Sequence, residues 1–413
     1  MILDNTIKVN PLPAPTWNWL RVNDTEIRVE DEPMEAVCIA DLPGEISDSA
    51  VLEEEDVELL LSAESGMGKE FAGWIAGCPV DPAVLTTTVG MQPEKPAVLE
   101  YYSTPGSMTA ARCRLVARKG SEMTVVMRIS GKTAWDLGTL WDENTRDADK
   151  AEQGNEDPDN KDPENEDLDN EDMRGVDAEG TDAPEAATEA AIAIETRILV
   201  EDGAKVHLIQ VCDPGEKLSA YCDVAAVLGE DSEFTLLQIT LGRENTLFGA
   251  AADLHGDRSR LKIDAAYTAA KDQQVDINYV ARHRGVNTES EIKVNGVLRA
   301  GAKKAFRGTI DFIRGCKGSK GDEREDVLLL DEDVVNRTVP LILCTEEDVE
   351  GSHGATIGDL SEESLYYFRS RGISDEAAYQ LLADGRMAAA VRMIPVKEIR
   401  DELLSKYGEE ENM

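Results

Sequence analysis

A glycine followed by a short strand-like segment recurs at nearly constant spacing in the second half of this 413-residue chain. Gly203, Gly229, Gly256 and Gly285 each precede such a segment, at intervals of 26, 27 and 29 residues. Apolar and polar residues alternate within the segments, which is the pattern of a β-strand. No helical periodicity separates them, so βαβ units are disfavoured. A period of this length without helices predicts a parallel β-helix, whereas a β-sandwich need not repeat so regularly.

Helical patterns flank the strand-rich part of the sequence. Residues 51–76 carry apolar residues at mixed spacings of three and four and are expected to form a helix. After Gly358 the period changes back to that of a helix. Ser361 and Ser374 are predicted N-caps of two helices, and Gly385 is expected to end the second one. The sequence therefore predicts a mainly β fold with a helical N-terminal segment and a small C-terminal helical domain.

An acidic segment interrupts the strand-rich region. Residues 142–189 contain 20 acidic and 4 basic side chains, a net charge of −16, and few apolar ones. Such a segment cannot offset the entropy cost of folding, so it is predicted to be a disordered insert, with calcium or partner binding as the alternative. It divides a β-helix core at 97–357, which lies between an N-terminal segment (1–96) and the helical domain (358–413).

The overall charge and the cysteines limit the function classes. The formal net charge is −41, which argues against nucleic acid and against anionic membrane as partners. The seven cysteines are scattered and form no CxxC pair, so neither a zinc ribbon nor a thioredoxin motif is indicated. Without a signal peptide or a long apolar run, the expected location is the cytoplasm, with reduced thiols.

The histidines offer one candidate site. His207, His255 and His283 are interpreted as surface histidines. His353 lies in the run EGSHGATIG, which is read as a connection between the last strand and the C-terminal helices, and Cys344 ends that strand. A thiolate and an imidazole there could bind iron, copper or zinc; the alternative is a buried structural cysteine and a capping histidine. No GxSxG, HExxH, GxxxxGK[ST] or GxGxxG motif is found, so no nucleotide site is predicted.

Two segments carry a resemblance to a known family. ARHRGVNTESEIKVNGVLRAGAKKAFRGTIDF (281–312) and VEGSHGATIGDLSEESLYYFRSRGIS (349–374) resemble the SufB/SufD family, which forms the scaffold of the SUF iron–sulfur cluster assembly machinery. PAPTWNWLRVN (13–23) looks like the N-terminal signature of SufD-like members. The resemblance implies a right-handed parallel β-helix that pairs with a SufB-like protomer. It also implies a SufC-like ABC ATPase on the C-terminal helices and a transient iron–sulfur cluster at the subunit interface.

The same resemblance assigns the candidate residues. His353 matches the functional histidine of SufD-like proteins, whereas the functional glutamate of the SufB run is replaced here by Gly354. The essential cysteine of SufB corresponds to Glu325 or its neighbour, and Cys344 falls where SufB-type chains often carry a cysteine. The expectation is a SufD-like subunit that is not itself an enzyme, with His353 and Cys344 as metal ligands. Alternatives are a SufB-type homodimer, a polysaccharide-active β-helix enzyme, and a purely structural solenoid.

Overall fold

The computed structural model describes residues 5–16, 20–48, 51–104, 106–133, 190–213, 218–241, 244–270 and 273–406. The predicted acidic insert at 142–189 lies outside the described residues.

Two long sheets run side by side through the molecule, and successive strands of the chain alternate between them. Neighbours in each sheet are parallel, except that the strand Val37–Asp41 is antiparallel to the strand Ala97–Ser103. The first sheet contains β4 (Val37–Asp41), β6 (Ala97–Ser103), β8 (Glu122–Thr133), β10 (Lys205–Asp213), β12 (Glu233–Thr240), β14 (Arg260–Ala269), β16 (Glu289–Leu298), β18 (Ser319–Leu329) and β20 (Val349–Gly358). The second contains β3 (Met34–Glu35), β5 (Ala83–Thr86), β7 (Met108–Ala117), β9 (Ala190–Val200), β11 (Leu218–Leu228), β13 (Thr246–Leu254), β15 (Gln274–His283), β17 (Lys303–Phe312) and β19 (Val335–Cys344). The predicted parallel β-helix is confirmed.

The glycine repeat corresponds to one edge of this solenoid. Strands β10, β12, β14 and β16 follow the four repeat glycines and are neighbours in the first sheet. Their side chains form continuous rows, such as Leu208, Leu236, Ile263 and Ile292, each at most 1% exposed. Each fully buried aliphatic side chain contributes roughly 1.5–3 kcal/mol, so the stacked rows supply the core of the fold.

The N-terminal segment packs on the outer face of the second sheet. Its hairpin pairs β1 (Asn5–Val9) with β2 (Thr25–Val29). The hairpin is attached through a buried ion pair between Arg307 and Asp276, whose carboxylate also accepts hydrogen bonds from Asn10 and Thr25. A buried pair that is hydrogen-bonded on all sides fixes one arrangement of the two parts.

The expected single helix at 51–76 is two helices, α1 (Glu54–Ser62) and α2 (Lys69–Gly77). The break follows from close packing, because a Cβ at Gly66 would lie 2.1 Å from the backbone nitrogen of Ala250. Gly68, just before α2, has φ +96°, a conformation that L side chains rarely adopt. The segment between the helices therefore lies flat on β13.

The C-terminal helices are α3 (Glu362–Ser370), α4 (Asp375–Val391) and α5 (Lys397–Ser405). The predicted caps are confirmed, because Ser361 accepts from the backbone N–H of Ser364, and Ser374 caps α4 in the same way. The prediction that Gly385 ends the second helix is wrong, since α4 continues for another turn and a half. Its apolar face packs with α5 on the outer face of the first sheet, which holds the helix together across the glycine. Within the described ranges, no helix is both long and apolar enough to cross a membrane.

Candidate functional site

The last coil of the solenoid is open. β19 pairs only with β17, and β20 only with β18; no other described strand pairs with their outer edges. The side chains of these two strands are more exposed as a result. No residue of β19 or β20 is fully buried, whereas most residues of β17 are. A parallel coil presents free backbone N–H and C=O groups along such an edge, together with side chains that would otherwise be interior. This end of the molecule is therefore a surface suited to contact with another chain.

His353 lies on the inner side of that open coil. Its Cα is in register with that of Glu323 on β18, whose side chain is buried inside the solenoid. Two residues earlier, a Cβ at Gly351 would contact the interior ring of Phe312, which confirms the direction of this row. His353 is exposed because no further coil covers it. The interpretation of its run as a connection after the last strand is wrong: pairing with β18 makes these glycine-rich residues a strand.

Cys344 lies on the same inner side, at the end of the other terminal strand. It is in register with Phe312, which follows His283 and Leu254 in one interior column. The thiol is exposed and donates to the carbonyl oxygen of Glu346, at 2.9 Å. The alternative of a buried structural cysteine is therefore wrong, and the sulfur is open to a ligand.

Cys344 and His353 do not form a complete metal site with the other described residues. In the described part of the chain, no three His, Cys, Asp or Glu side chains converge as metal ligands do. A metal held tightly by protein side chains usually needs three or four of them. His353 is stacked on Glu323, which lies opposite Gly308, whereas Cys344 is stacked on Phe312, four residues further along β17. Each of them would therefore need further ligands from elsewhere to hold iron.

A charged cluster lies inside the solenoid directly beneath the open coil. Lys304 and Glu325 form an ion pair whose side chains are 0% and 1% exposed. The ammonium of Lys304 also donates to the hydroxyl of Thr338, at 2.9 Å, and to the carbonyl of Arg337, at 3.2 Å. Thr338 in turn donates to the Oε2 atom of Glu325, at 2.7 Å. These bonds offset the cost of removing two charges from water.

Glu323 is the neighbouring carboxyl group in this cluster. Burial, and then repulsion from Glu325, raise the pKa of Glu323 to about 7, although Lys304 opposes the shift. The carboxyl group of Glu323 packs against Gly308 on the opposite strand. A Cβ at Gly308 would lie 2.1 Å from the Oε2 atom of Glu323, so only glycine leaves room for the carboxyl group. The group thus lies between His353 and the buried ion pair.

The resemblance named Glu325 only as the counterpart of the SufB cysteine, and sequence reasoning missed the charged cluster around it, although the sequence contains a signal for it. The interior row that begins with apolar Ile263 and Ile292 continues as Glu323 and then His353. The strand sequence SKGDEREDVLL places charged residues at inward positions, against the alternation of the earlier coils. A register extended from those coils would have identified Glu323 and Glu325 as interior residues.

The other three histidine interpretations can also be compared with the structure. The interpretation of His283 as a surface residue is wrong, because its ring is fully buried between the hydroxyls of Thr288, at 2.7 Å, and Ser290, at 2.9 Å. Burial lowers the pKa of His283 to about 4. His255 is exposed as expected, and His207 is half-buried.

The C-terminal helices carry a second exposed surface. Tyr366 and Tyr367 of α3 are 71% and 55% exposed, whereas Leu365 between the helices is buried. Adjacent exposed aromatic side chains on one helix are typical of a protein contact rather than of a bare surface.

Comparison with known proteins identifies the family. The model of the SUF system FeS cluster assembly SufBD core domain matches residues 177–386, which is half of the chain. The iron–sulfur cluster assembly protein SufD of Bacillus subtilis is 25% identical over 218 residues, 52% of this chain and 50% of that protein. SufB of the same organism is 24% identical over 215 residues, 52% of this chain and 46% of that protein. A SufBD family protein of Mycobacterium tuberculosis is 27% identical over 157 residues, 38% of this chain and 19% of that protein.

The matched regions thus span about half the length of the Bacillus relatives and about a fifth of the mycobacterial one. The matched domain includes the central and last coils of the solenoid, the open coil with Cys344 and His353, and the first C-terminal helix. The chain belongs to the SufB/SufD family of iron–sulfur cluster assembly proteins.

Proposed function

We propose that this chain is a SufD-like scaffold subunit of a SUF complex and pairs with a SufB-type subunit through the open end of its solenoid. The open last coil carries the proposal, because it offers two free strand edges and uncovered interior side chains. A partner strand at either edge would complete the backbone hydrogen bonds and cover the exposed row, as strand addition does in other complexes. The family membership makes a second β-solenoid the natural partner.

The nascent iron–sulfur cluster would be a substrate held at this contact. Thiolate sulfur and imidazole nitrogen are both iron ligands, and Cys344 and His353 present one of each on the inner side of the coil. Since the two residues lie at different positions along the coil, the partner would supply the remaining ligands. An interface cluster can then be released when the two subunits separate, which suits a scaffold better than a permanent metal site.

A homodimeric, SufB-type scaffold is the second candidate. The exposure of Cys344 favours it, because two copies facing each other would provide two thiolates and two imidazoles. Gly354, where the SufB run has a glutamate, favours the SufD-like reading. The near-equal identities to SufD and SufB favour neither.

The exposed tyrosines of α3 would bind a SufC-type ABC ATPase. The chain contains no nucleotide motif, so ATP would be bound by that partner, and this chain would not be an enzyme by itself. The helices are anchored to the first sheet: Arg128 of β8 donates to the carboxylate of Glu402 in α5, at 2.7 Å. A movement of the ATPase would thereby be transmitted to the solenoid as a rigid-body motion. All seven cysteines are free thiols, which suits the reducing cytoplasm.

The decisive test of the site is the iron and sulfide content of the co-expressed complex. We expect His353→Ala to keep the melting temperature and the size of the complex, yet to lower iron and acid-labile sulfide severalfold after anaerobic purification. His255→Ala, which removes an exposed turn histidine, is the matched control and should keep the iron and sulfide content of the wild type. Cys344→Ser should have a small effect in a heterodimer and an effect as large as His353→Ala in a homodimer. Normal loading of the His353 variant would refute the assigned site.

The ATPase contact is tested separately by substitution on α3. Truncation after Gly358 is unsuitable, because α4 and α5 cover the outer face of the first sheet. Replacing Tyr366 and Tyr367 by alanine should weaken ATPase binding at least tenfold while leaving the circular dichroism spectrum unchanged. Val286→Ala changes an exposed apolar residue on a solenoid turn and should bind the ATPase as tightly as the wild type does. Undiminished binding by the double variant would place the ATPase elsewhere.

A further inference from the structure

A cavity of about 310 Å³ lies at the other end of the second sheet, far along the chain from the open coil. Val57 and Leu61 of α1 form one wall, and Val84 of β5 lies in the opposite one. The floor contains Arg112 and Arg114 of β7. Small-molecule sites combine apolar walls with a few polar groups in this way, in cavities of about 300–1,000 Å³.

The two arginines face α1 because side chains alternate along β7. Cys113 between them points into the solenoid core, so Arg112 and Arg114 point outward beneath the helix. Together with Arg197 of β9 they converge on one carboxylate. Glu195 accepts from Arg112 at 3.1 Å, from Arg114 at 2.8 Å and from Arg197 at 2.9 Å.

This cluster has more positive than negative charge. The next carboxylate in the cross-strand row is Asp223, in register with Glu195 on β11 and hydrogen-bonded by the backbone N–H of Met67. Burial raises the pKa of Asp223 to about 6, so it is mostly ionised at pH 7. Among these five side chains, three guanidinium groups then face two carboxylates, an excess of one positive charge, while Asp56 of α1 is paired with Arg118. A buried excess charge is costly unless an anion neutralises it.

Arg112 is the arginine with hydrogen-bonding capacity to spare. Its side chain is 15% exposed, against 6% for Arg114. Beyond Glu195, the only acceptor it meets in the described part of the chain is the carbonyl of Val80, at the limiting distance of 3.5 Å. A guanidinium group carries five N–H donors in a planar fork that matches a carboxylate. Arg112 can therefore bind an anion at the floor of the cavity without releasing Glu195.

The apolar wall indicates what the rest of the ligand is. Val57 and Leu61 lie one turn apart on the same face of α1 and are 40% and 58% exposed. Both line the cavity, so a hydrocarbon tail lying between α1 and β5 would cover apolar surface that is now in contact with water. An inorganic anion would satisfy the arginine and leave this surface exposed.

We propose that this cavity binds a small monocarboxylate with an apolar tail, its carboxylate on Arg112 and its tail between α1 and β5. The single negative charge of the ligand matches the single excess positive charge of the cluster. A medium-chain acid fits within this volume, so octanoate is a suitable probe.

The test is isothermal titration calorimetry on the full-length chain at pH 7.5. Octanoate should bind saturably at one site per chain. Acetate, which has the carboxylate without the tail, and octanol, which has the tail without the charge, should each bind roughly tenfold or more weakly, the range of a charge-assisted hydrogen bond. Equal binding of octanol, or no saturable binding of octanoate, would overturn the proposal.

Variants locate the ligand. Arg112→Gln should lower the affinity for octanoate roughly tenfold or more. Arg260→Gln, the same change at an exposed arginine on the first sheet, should leave that affinity unchanged. Leu61→Asp provides a second test, because it places a negative charge at the cavity mouth on an exposed position where folding is not at risk. Leu61→Asp should lower the affinity for octanoate as strongly as Arg112→Gln does. Wild-type affinity in either cavity variant contradicts the assignment.

Discussion

The buried histidine of the solenoid makes stability depend on pH in a way that can be calculated. The pKa of His283 is about 4 in the folded chain, because burial disfavours its charged form, against 6.5 for an unperturbed imidazole. A depressed folded pKa means that the unfolded chain binds more protons, so the contribution of the neutral ring is complete above pH 6.5 and lost as the pH falls towards 4. For these two values the linkage relation predicts about 2 kcal/mol less stability at pH 5 than at pH 8.

The assay compares urea unfolding of the wild type with that of His283→Gln at pH 8, 6.5 and 5, all above the sequence pI of about 4.4. Glutamine cannot titrate and can still bond with the hydroxyls of Thr288 and Ser290. Other groups titrate in both proteins, so the difference between them isolates the imidazole. We expect the stability advantage of the wild type to shrink by about 2 kcal/mol between pH 8 and pH 5. A constant difference across this range would refute the argument that burial controls His283.

Two further predictions concern the packing of the solenoid. Gly249→Ala would place a Cβ 2.2 Å from a backbone nitrogen of the segment between α1 and α2, so it should lower the free energy of unfolding, measured in urea, by about 1–3 kcal/mol. Gly354→Ala has no atom within 4 Å of its Cβ and should change the same free energy by less than about 0.5 kcal/mol. Glu325→Gln leaves Lys304 buried without its ion pair and should cost about 3–5 kcal/mol, while Glu350→Gln, in an exposed pair, should cost under about 1 kcal/mol. If the two variants of either pair lost the same free energy of unfolding, the packing argument would be wrong.

The repeat of the solenoid could be predicted from the sequence because it depends on local features. The spacing of Gly203, Gly229, Gly256 and Gly285 marks the turns, and the alternation after each glycine marks the inward rows. Helix caps were predictable for the same reason, since the serine hydroxyl of Ser361 bonds to a backbone N–H three residues away. The family resemblance was likewise carried by short contiguous segments.

The features that could not be predicted depend on contacts between distant residues. His283 lies between two arginines, which suggests a surface patch, but its register with Leu254 and Phe312 makes it an inward residue. Gly385 has the residue type that ends helices, yet packing of α4 on the first sheet outweighs its cost of about 1 kcal/mol. The candidate site was predicted only as two residues. Their common inner face, and the charged cluster beneath them, follow from the pairing of β18 with β20.

A stack of parallel coils has a direction, and its two ends are therefore chemically different. At the start of this stack the first sheet ends in β4, which is antiparallel to β6, and the second ends in the short strands β3 and β5, so that end does not offer the long edge that a further parallel coil would continue. Among the described strands, only β19 and β20 offer such an edge. Head-to-tail addition, which would extend such a stack into a fibre, thus lacks one of its two joining surfaces. Association through the free edges is self-limiting and stops when two open ends have met, so the fold can expose unpaired strands without becoming the seed of a polymer.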